Sequence, residues 1–203
     1  MDITTKMSGV FIARMKDGDP MGAVLQKYLL KGMEKVGQGL ERHVKTQKLS
    51  GQALKARTGN LRRAIFHKVG AVANDVIGVV GVDLAKAKYG RIQELGGVIR
   101  PKKSKHLTIP LDAAKTGNGV ARFTARDVIS SPGSYGYVGT FTRNNIIFGK
   151  QDGGGIVPLF ALKTSVTIRA VGYLKSTVEE KMSWIKQTLM DSIAAGVKEM
   201  NGG

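Results

Sequence analysis

Apolar side chains recur near the C-terminal end of the chain at intervals of three or four residues. Such intervals place side chains on one face of an α-helix, and the charged residues of the segment fall largely off that face. The pattern predicts a long C-terminal helix with a single apolar stripe, formed by Leu174, Val178, Met182, Ile185, Leu189, Ile193, Val197 and Met200. We expect this helix to pack on the sheet of the same chain, and contact with another subunit is the alternative.

A second helical pattern follows Asp19 and Pro20, which suit the cap and the first turn of a helix. Its apolar stripe is interrupted by glycines, each of which costs up to about 1 kcal/mol relative to alanine. Gly32 and Gly39 lie close to the stripe, so we expect another backbone to pack closely there, with a bend of the helix as the alternative. The polar and basic residues 45–57 that follow are predicted to form a mobile loop.

Between the two helices the pattern changes to that of β-strands. Two apolar stretches flank Asn74 and Asp75, a pair suited to a two-residue turn, and together they predict a β-hairpin. A short helix capped by Thr58 is predicted before this hairpin, with Leu61 and Ile65 facing inward and Arg62 and Arg63 facing outward. Two further short strands flank the basic segment 101–105, and the apolar, β-rich residues 158–168 are expected to rejoin the main sheet.

Residues 112–155 are rich in Gly, Ser, Thr and Asn, and they lack long periodic patterns. We interpret them as a β-hairpin insertion that turns at Asn144 and Asn145 and stays flexible until it binds. The predicted fold class is α+β, with a small and mostly antiparallel sheet packed against long N-terminal and C-terminal helices. The chain is predicted to have an N-terminal arm, an α+β core and the insertion, at residues 1–18, 19–111 with 156–200, and 112–155.

The net charge changes this picture most. The chain has 32 basic and 15 acidic side chains, a net charge of +17, and +11 of this lies between Glu41 and Pro110. Such a surplus attracts phosphates or an acidic protein surface. We expect a polyanion close to this surface, with an acidic protein partner or simple solubility as alternatives. The residues predicted to face the polyanion are Arg57, Arg62, Arg63, Arg100, Lys102, Lys103 and Lys105.

The side chains that catalysis, metal binding or cofactor binding would need do not form recognisable sets. The absence of cysteine excludes disulfides and thiolate metal sites, and the three histidines are scattered along the chain. The glycine-rich segments lack the Lys-Ser/Thr pair of a phosphate loop and the third glycine of a dinucleotide fingerprint. We therefore expect no enzyme activity, no metal and no cofactor. No window is apolar enough to span a membrane and the N-terminus is a poor signal peptide, so we expect a soluble, non-secreted protein.

Two motifs carry a family resemblance. The first joins Tyr89 to Gln-Glu-Leu-Gly-Gly at 93–97, to Ile-Arg-Pro-Lys-Lys at 99–103 and to the apolar strand 107–111. The second is Thr-Gly-Asn-Leu-Arg at 58–62. With these motifs and its C-terminal helix, the chain resembles the minor tail, or tail-completion, proteins of long-tailed bacteriophages. The similarity covers much of residues 21–111 and 158–200.

The resemblance implies a structural virion protein at the phage neck, which completes the tail and joins it to the head. It implies a ring of copies of this chain between the head connector or adaptor ring and the tail terminator ring. Genomic DNA would pass through its basic lumen, and assembly would take place in the host cytoplasm. Neighbouring subunits must then contact each other. We predict that the insertion supplies these contacts through Tyr135, Tyr137, Phe141, Ile146, Ile147 and Phe148.

The alternative function is that of a free nucleic-acid-binding protein without sequence preference. The chain has no helix-turn-helix or zinc-finger pattern, and few aromatic residues lie among its basic clusters. Either function would therefore depend on an electrostatic surface that contacts backbone phosphates and does not read bases.

Overall fold

The computed structural model describes residues 2–6, 10–14, 22–72 and 75–201, and its helices and strands confirm the predicted α+β class. The chain divides into two compact units. The first combines Met1–Gly96 with Ala170–Gly203, and the second is Gly97–Arg169.

Four antiparallel strands form the sheet of the first unit, in the order β1-β2-β4-β3. Their bounds are β1 (Asp2–Lys6), β2 (Val10–Arg14), β3 (Ile65–Val72) and β4 (Asp75–Val82). The predicted hairpin is therefore present as β3 and β4. Val72 pairs with Asp75, so Asp75 belongs to the strand, while Asn74 lies outside the described residues. The predicted N-terminal arm contributes β1 and β2 to this sheet.

Two long helices complete the first unit, α1 (Ala23–His43) and α5 (Tyr173–Met200). The predicted helix start at Asp19 and Pro20 lies outside the described residues. One turn of π-helix, Val44–Lys48, prolongs α1, and the next residue, Leu49, is buried. The prediction of a mobile loop from residue 45 was therefore wrong for its first residues, because Leu49 anchors them to the core.

Helix α1 packs against β3 and β4 and also against α5. The core between these elements contains Leu29, Met33, Val36 and Leu40 of α1, Val76 and Val80 of β4, and Leu174, Ile185 and Leu189 of α5. The apolar stripe of α5 is buried from Leu174 to Leu189, but Val197 is 42% exposed. Three steps of four residues, from Ile185 to Val197, rotate a side chain by about 40° each, because a helix repeats every 3.6 residues. Val197 has thereby left the contact face, where the buried Gly196 takes its place.

The predicted close approach at the α1 glycines is confirmed. A Cβ atom added to Gly32 would lie 2.8 Å from Ser192 Cβ, and one added to Gly39 would lie 2.3 Å from the Trp184 ring. Both neighbours belong to α5, so glycine at these positions allows α5 to pack closely on α1. The third glycine, Gly37, instead faces the ring of His67 on β3.

Two short helices precede and follow the β3–β4 hairpin. Helix α2 (Asn60–Ala64) has Leu61 buried and Arg62 and Arg63 exposed, as predicted. Helix α3 (Gly90–Leu95) leads out of the first unit.

The second unit contains six strands and one α-helix. Strands β6, β9, β8 and β7 form an antiparallel sheet in that order, and β5 pairs separately with β10. The bounds are β5 (Gly97–Ile99), β6 (Leu107–Pro110), α4 (Ala125–Ser130), β7 (Gly139–Arg143), β8 (Ile146–Lys150), β9 (Ile156–Lys163) and β10 (Val166–Ile168).

This unit is larger than the predicted insertion, because the strands on either side of residues 112–155 belong to it. The expectation that residues 158–168 rejoin the main sheet was wrong. Strand β9 pairs with β8 and β6, and its Leu159 and Phe160 are buried in a separate core with Phe123, Val128, Tyr137 and Ile147. The predicted turn is confirmed, since Asn144 and Asn145 have φ angles of 50° and 59°.

His67 joins α1 to the sheet through two carboxylates. Its Nε2 lies 2.8 Å from a Glu34 oxygen and its Nδ1 lies 2.5 Å from a Glu41 oxygen, and Glu41 also binds Lys45. Burial alone would lower the pKa of His67, but the hydrogen bonds and charges of the two glutamates outweigh it and raise this pKa. The hydrogen bond to His67 lowers the pKa of Glu34. Burial alone would raise the pKa of Glu41, but Lys45 and His67 outweigh burial and lower this pKa.

We predict that Gly32→Ala lowers the free energy of unfolding in urea. Overpacking of this kind costs about 1–3 kcal/mol, against the gain in helix propensity of roughly 1 kcal/mol that alanine brings. The matched control is Gly39→Ala, with the same propensity gain, whose clash involves the end of an indole that is 37% exposed and can rotate. Gly32→Ala should be the less stable variant, and an order reversed between the two would contradict the close helix contact.

We predict that His67→Gln removes a pH dependence of stability. With its pKa raised in the folded state, His67 stabilises the fold fully below its unfolded pKa of about 6.5 and loses this effect as the pH rises through the folded value. Glu34 and Glu41 contribute above their unfolded pKa and lose this effect as the pH falls. Wild-type stability, measured by urea unfolding, should therefore decline above about pH 6.5, and that of His67→Gln should not. His106→Gln is the control, and it should retain the wild-type decline.

Candidate polyanion interface

The predicted basic turn is a loop that interrupts a ladder of paired strands. Ile99 of β5 pairs with Val166, and Leu107 of β6 pairs with Lys163. The seven residues 100–106 therefore lie opposite only two residues, 164 and 165. Because three residues of a strand span about 10 Å, the two ends of the loop are held close together and its middle must project from the ladder.

The loop, here called the basic loop (residues 100–106), carries four cations on exposed positions: Arg100, Lys102, Lys103 and Lys105. Among the residues that the structure describes, none of the four forms a salt bridge. Pro101 fixes one backbone angle, and the Ser104 hydroxyl donates a hydrogen bond of 2.7 Å to the carbonyl oxygen of His106. The cations are therefore held on one short, restrained segment.

Charge is distributed differently in the two units. The second unit contains eleven basic and three acidic residues. Of the acidic residues, Asp112 pairs with Lys115 at 3.1 Å, and Asp127 forms the capping box of α4 together with Thr124. In the first unit, Glu41, Glu180 and Glu199 each bind a lysine. The second unit therefore holds a surplus of eight positive charges over 73 residues, and Lys115 is the only one of its basic residues with a salt bridge in the described part of the chain.

A groove of about 450 Å³ lies beside the basic loop. Arg100, Lys102 and His106 line it from the loop, whereas Lys103 and Lys105 do not. Most of the other lining residues are apolar, namely Ile99, Pro101, Leu107, Ile109, Val166 and Ile168, and the remaining two are the polar Ser104 and Thr108.

The remaining predicted cations lie in the first unit. Arg57 is exposed before α2, and Arg62 and Arg63 are exposed on it. The Arg63 guanidinium donates hydrogen bonds to the Thr58 carbonyl oxygen at 3.1 Å and to Asn60 Oδ1 at 2.6 Å. Arg63 is thus partly engaged in holding the start of α2.

The six predicted subunit-contact residues fall on two sides of the second sheet. Tyr137 and Ile147 are only 8% and 3% exposed, and Tyr135 packs on Phe123 at 4.7 Å between ring centroids. These three residues therefore belong to or border the core, and the prediction of Tyr137 and Ile147 as contacts was wrong because no partner can reach them. Ile146 and Phe148 alternate with Ile147 along β8, and Phe141 of β7 pairs with Phe148, so these three residues lie on the face opposite to Ile147.

The sequence analysis missed the role of Glu94. This residue is only 7% exposed, and its carboxylate accepts hydrogen bonds from the backbone nitrogens of Leu174 at 2.8 Å and Lys175 at 3.0 Å. Those nitrogens belong to the first turn of α5, where backbone N–H groups have no helical partner and a negative charge is stabilising. Glu94 therefore caps α5 from a distant part of the chain. The available signal was a single acidic residue between Gln93 and the apolar Leu95, in a segment that is otherwise basic.

Other parts of the same motif also serve the scaffold. The Tyr173 hydroxyl donates a hydrogen bond of 3.0 Å to the Gly90 carbonyl oxygen. A Cβ atom on Gly90 would lie 2.8 Å from Val82, and Gly96 has a φ of 71° that favours glycine. Burial of Tyr173 raises the pKa of its hydroxyl well above the usual value, so this group stays a donor.

No group of three or more histidine, aspartate or glutamate side chains that could hold a metal ion occurs within the described ranges. In that same part of the chain, no helix has both the length and the apolar character that crossing a membrane requires. Comparisons with protein-family models, curated proteins and solved structures gave no match.

We predict that Glu94→Gln lowers the free energy of unfolding by about 1–3 kcal/mol, because a buried, charge-assisted cap is replaced by a neutral amide whose NH₂ group cannot accept. The matched control is Glu179→Gln, which removes the same charge from an exposed position of α5 that only reaches Lys175 at 3.8 Å. That change should cost less than about 0.5 kcal/mol. Equal effects of the two substitutions in thermal or urea unfolding would contradict the capping role.

Proposed function

We propose that this chain is a structural virion protein of a long-tailed phage, which completes the tail and joins it to the head connector as one subunit of a ring. The observation that supports this most directly is the basic loop, whose four cations have no salt-bridge partner among the described residues. Repeated around a symmetry axis, such loops form a belt of positive charge. A belt of this kind suits DNA that slides past, because phosphate contacts carry no sequence information.

The structural role of the motif that carries the resemblance supports the same proposal. Glu94 and Gly90 hold α3 against the start of α5. The similarity to tail-completion proteins therefore involves residues that determine a scaffold, which is the level at which ring proteins resemble one another. It does not involve side chains that carry out a reaction.

The outer face of the second sheet is the part of the proposed ring that we assign to contact with a neighbouring subunit. Phe141 and Phe148 stack on this face with their ring centroids 5.2 Å apart, next to the partly exposed Ile146 and to Ile156, which is 58% exposed. Antiparallel sheets with one solvated face commonly carry polar residues there. The apolar face of β7 and β8 therefore fits a protein contact better than it fits water.

The proposal predicts that phage particles made without this chain accumulate as unjoined heads and tails. A double charge reversal, Lys103→Glu with Lys105→Glu, should permit joining but reduce the amount of packaged DNA that is retained, because the phosphates would meet negative charge. Electron microscopy counts joined particles, and DNase protection measures retained DNA. The neutral control is Lys163→Gln with Arg169→Gln. Normal joining without the chain would overturn the proposal.

The isolated chain separates this function from that of a free nucleic-acid-binding protein. A ring subunit presents only a few cations to DNA and should bind duplex DNA weakly on its own. A free nucleic-acid-binding protein should bind duplex DNA tightly. A plot of the logarithm of its binding constant against the logarithm of the salt concentration should have a slope of about −0.9 for each phosphate contacted. Tight binding by the monomer with a slope of several units would favour the alternative.

A further inference from the structure

The groove beside the basic loop has a composition that DNA binding alone does not explain. Its lining contains five aliphatic side chains, Ile99, Leu107, Ile109, Val166 and Ile168, in addition to Arg100 and Lys102. Ile99 and Ile109 are 38% and 36% exposed. A phosphate backbone gains nothing from aliphatic surface, whereas burial of such surface favours association with another protein.

The strand arrangement shapes the groove for an extended ligand. Strand β6 lies at one edge of its sheet, and β5 is one strand of a two-stranded ribbon. One side of each backbone is therefore without a strand partner in the described part of the chain. The aliphatic side chains of Leu107 and Ile109 alternate with Thr108 and so point to one face. Alternate side chains of an added strand would meet them, which is the usual form of recognition at a sheet edge.

Charge determines which extended segment fits. The rim cations Arg100 and Lys102 are without salt bridges among the described residues, and the second unit has a surplus of eight positive charges. A second copy of this chain that docked symmetrically at this groove would bring Arg100 and Lys102 of both copies together, and such like charges repel. A segment that alternates apolar and acidic residues would bury the former on the aliphatic lining and pair the latter with the rim cations.

We propose that this groove binds an extended, acidic and apolar segment of a different protein. The proposal does not depend on the function given above, since a protein partner of this kind fits the groove in any assembly. It also divides the basic loop into two parts. Arg100 and Lys102 bind the partner segment, and Lys103 and Lys105, which do not line the groove, remain available to phosphates.

The test uses the full chain and a fluorescent peptide of about nine residues that alternates isoleucine with glutamate, enough for a strand of about 30 Å. Fluorescence anisotropy at 0.15 M salt, where charges interact over only about 8 Å, measures its dissociation constant. A peptide that alternates serine with glutamate removes the apolar contribution. One that alternates isoleucine with lysine reverses the charge. Both control peptides should bind at least tenfold more weakly.

Variants of the chain locate the binding. Ile109→Ser and Lys102→Glu should each weaken binding of the first peptide at least tenfold. Lys103→Glu makes the same charge change on the same loop outside the groove, and it should change the dissociation constant less than threefold. Circular dichroism of each variant verifies that the chain remains folded, and Ile109→Ser alters a side chain that is already partly exposed.

Three results would overturn the proposal. The proposal would be wrong if the peptide that alternates isoleucine with glutamate showed no measurable binding. Equal losses in Lys102→Glu and Lys103→Glu would show attraction to charge alone. Displacement of the bound peptide by duplex DNA, with a DNA affinity that also depends on Ile109, would assign the groove to nucleic acid. None of these results bears on whether particles without the chain fail to join, so the two proposals can fail separately.

Discussion

The two ends of the second unit are fixed by the hydrogen bonds that Glu94 and its neighbours make. The chain leaves the first unit after α3 and returns just before α5. Where the outgoing and returning segments meet, the carbonyl oxygens of Gln93 and Glu94 accept hydrogen bonds from the backbone nitrogens of Val171 and Gly172, at 2.9 and 3.1 Å. The Glu94 carboxylate caps α5 at the same place. The β5–β10 ladder begins three residues beyond Glu94. A stretch of 73 residues is thus inserted into the first unit through a closed pair of strands.

This closure makes two separate cores possible in a chain of modest length. The entropy lost when the ends of a long loop are brought together grows only slowly with the length of the loop. The hydrogen bonds around Glu94 close the 73-residue stretch at a single place, so this entropy is lost only once. The first unit then buries its apolar residues between sheet and helices, with α1 approaching α5 at Gly32 and Gly39. The second unit buries a smaller set around Phe160 and has few acids to balance its cations. The second unit therefore has the higher surplus of positive charge per residue, eight over 73 residues against nine over the other 130.

The sequence was sufficient for the elements whose signal is local. The stripe of α5, the glycines of α1 and the turn at Asn144 and Asn145 were all predictable, because helical spacing, close approach and positive φ each leave a mark within a few residues. The sequence was not sufficient to predict which strands pair with each other. Residues 158–168 have the composition of a strand in any sheet, and only the pairing of β9 with β8 and β6 determines which unit they join.

The same contrast between local and long-range signals applies to the candidate site. The four loop cations could be identified from composition and from Pro101, but their projection depends on ladder registers that involve residues about 60 positions away. Ile147 was misassigned because alternation along β8 does not reveal which face the unit covers. Tyr137, which precedes β7, was misassigned because its burial depends on a core that β9 completes. Glu94 was overlooked for a related reason, since its partners Leu174 and Lys175 lie 80 and 81 positions further along the chain.

The registers on either side of the basic loop have an evolutionary consequence. Ile99 opposite Val166 and Leu107 opposite Lys163 are each set by their own ladder, so neither pairing requires a particular number of residues between them. Doubling the loop length would cost only about 0.6 kcal/mol in closure entropy. Insertions, deletions and exchanges of charge can therefore accumulate between Arg100 and His106 while the scaffold is preserved. A change in the length of this loop would leave the Glu94 cap and both ladder registers in place.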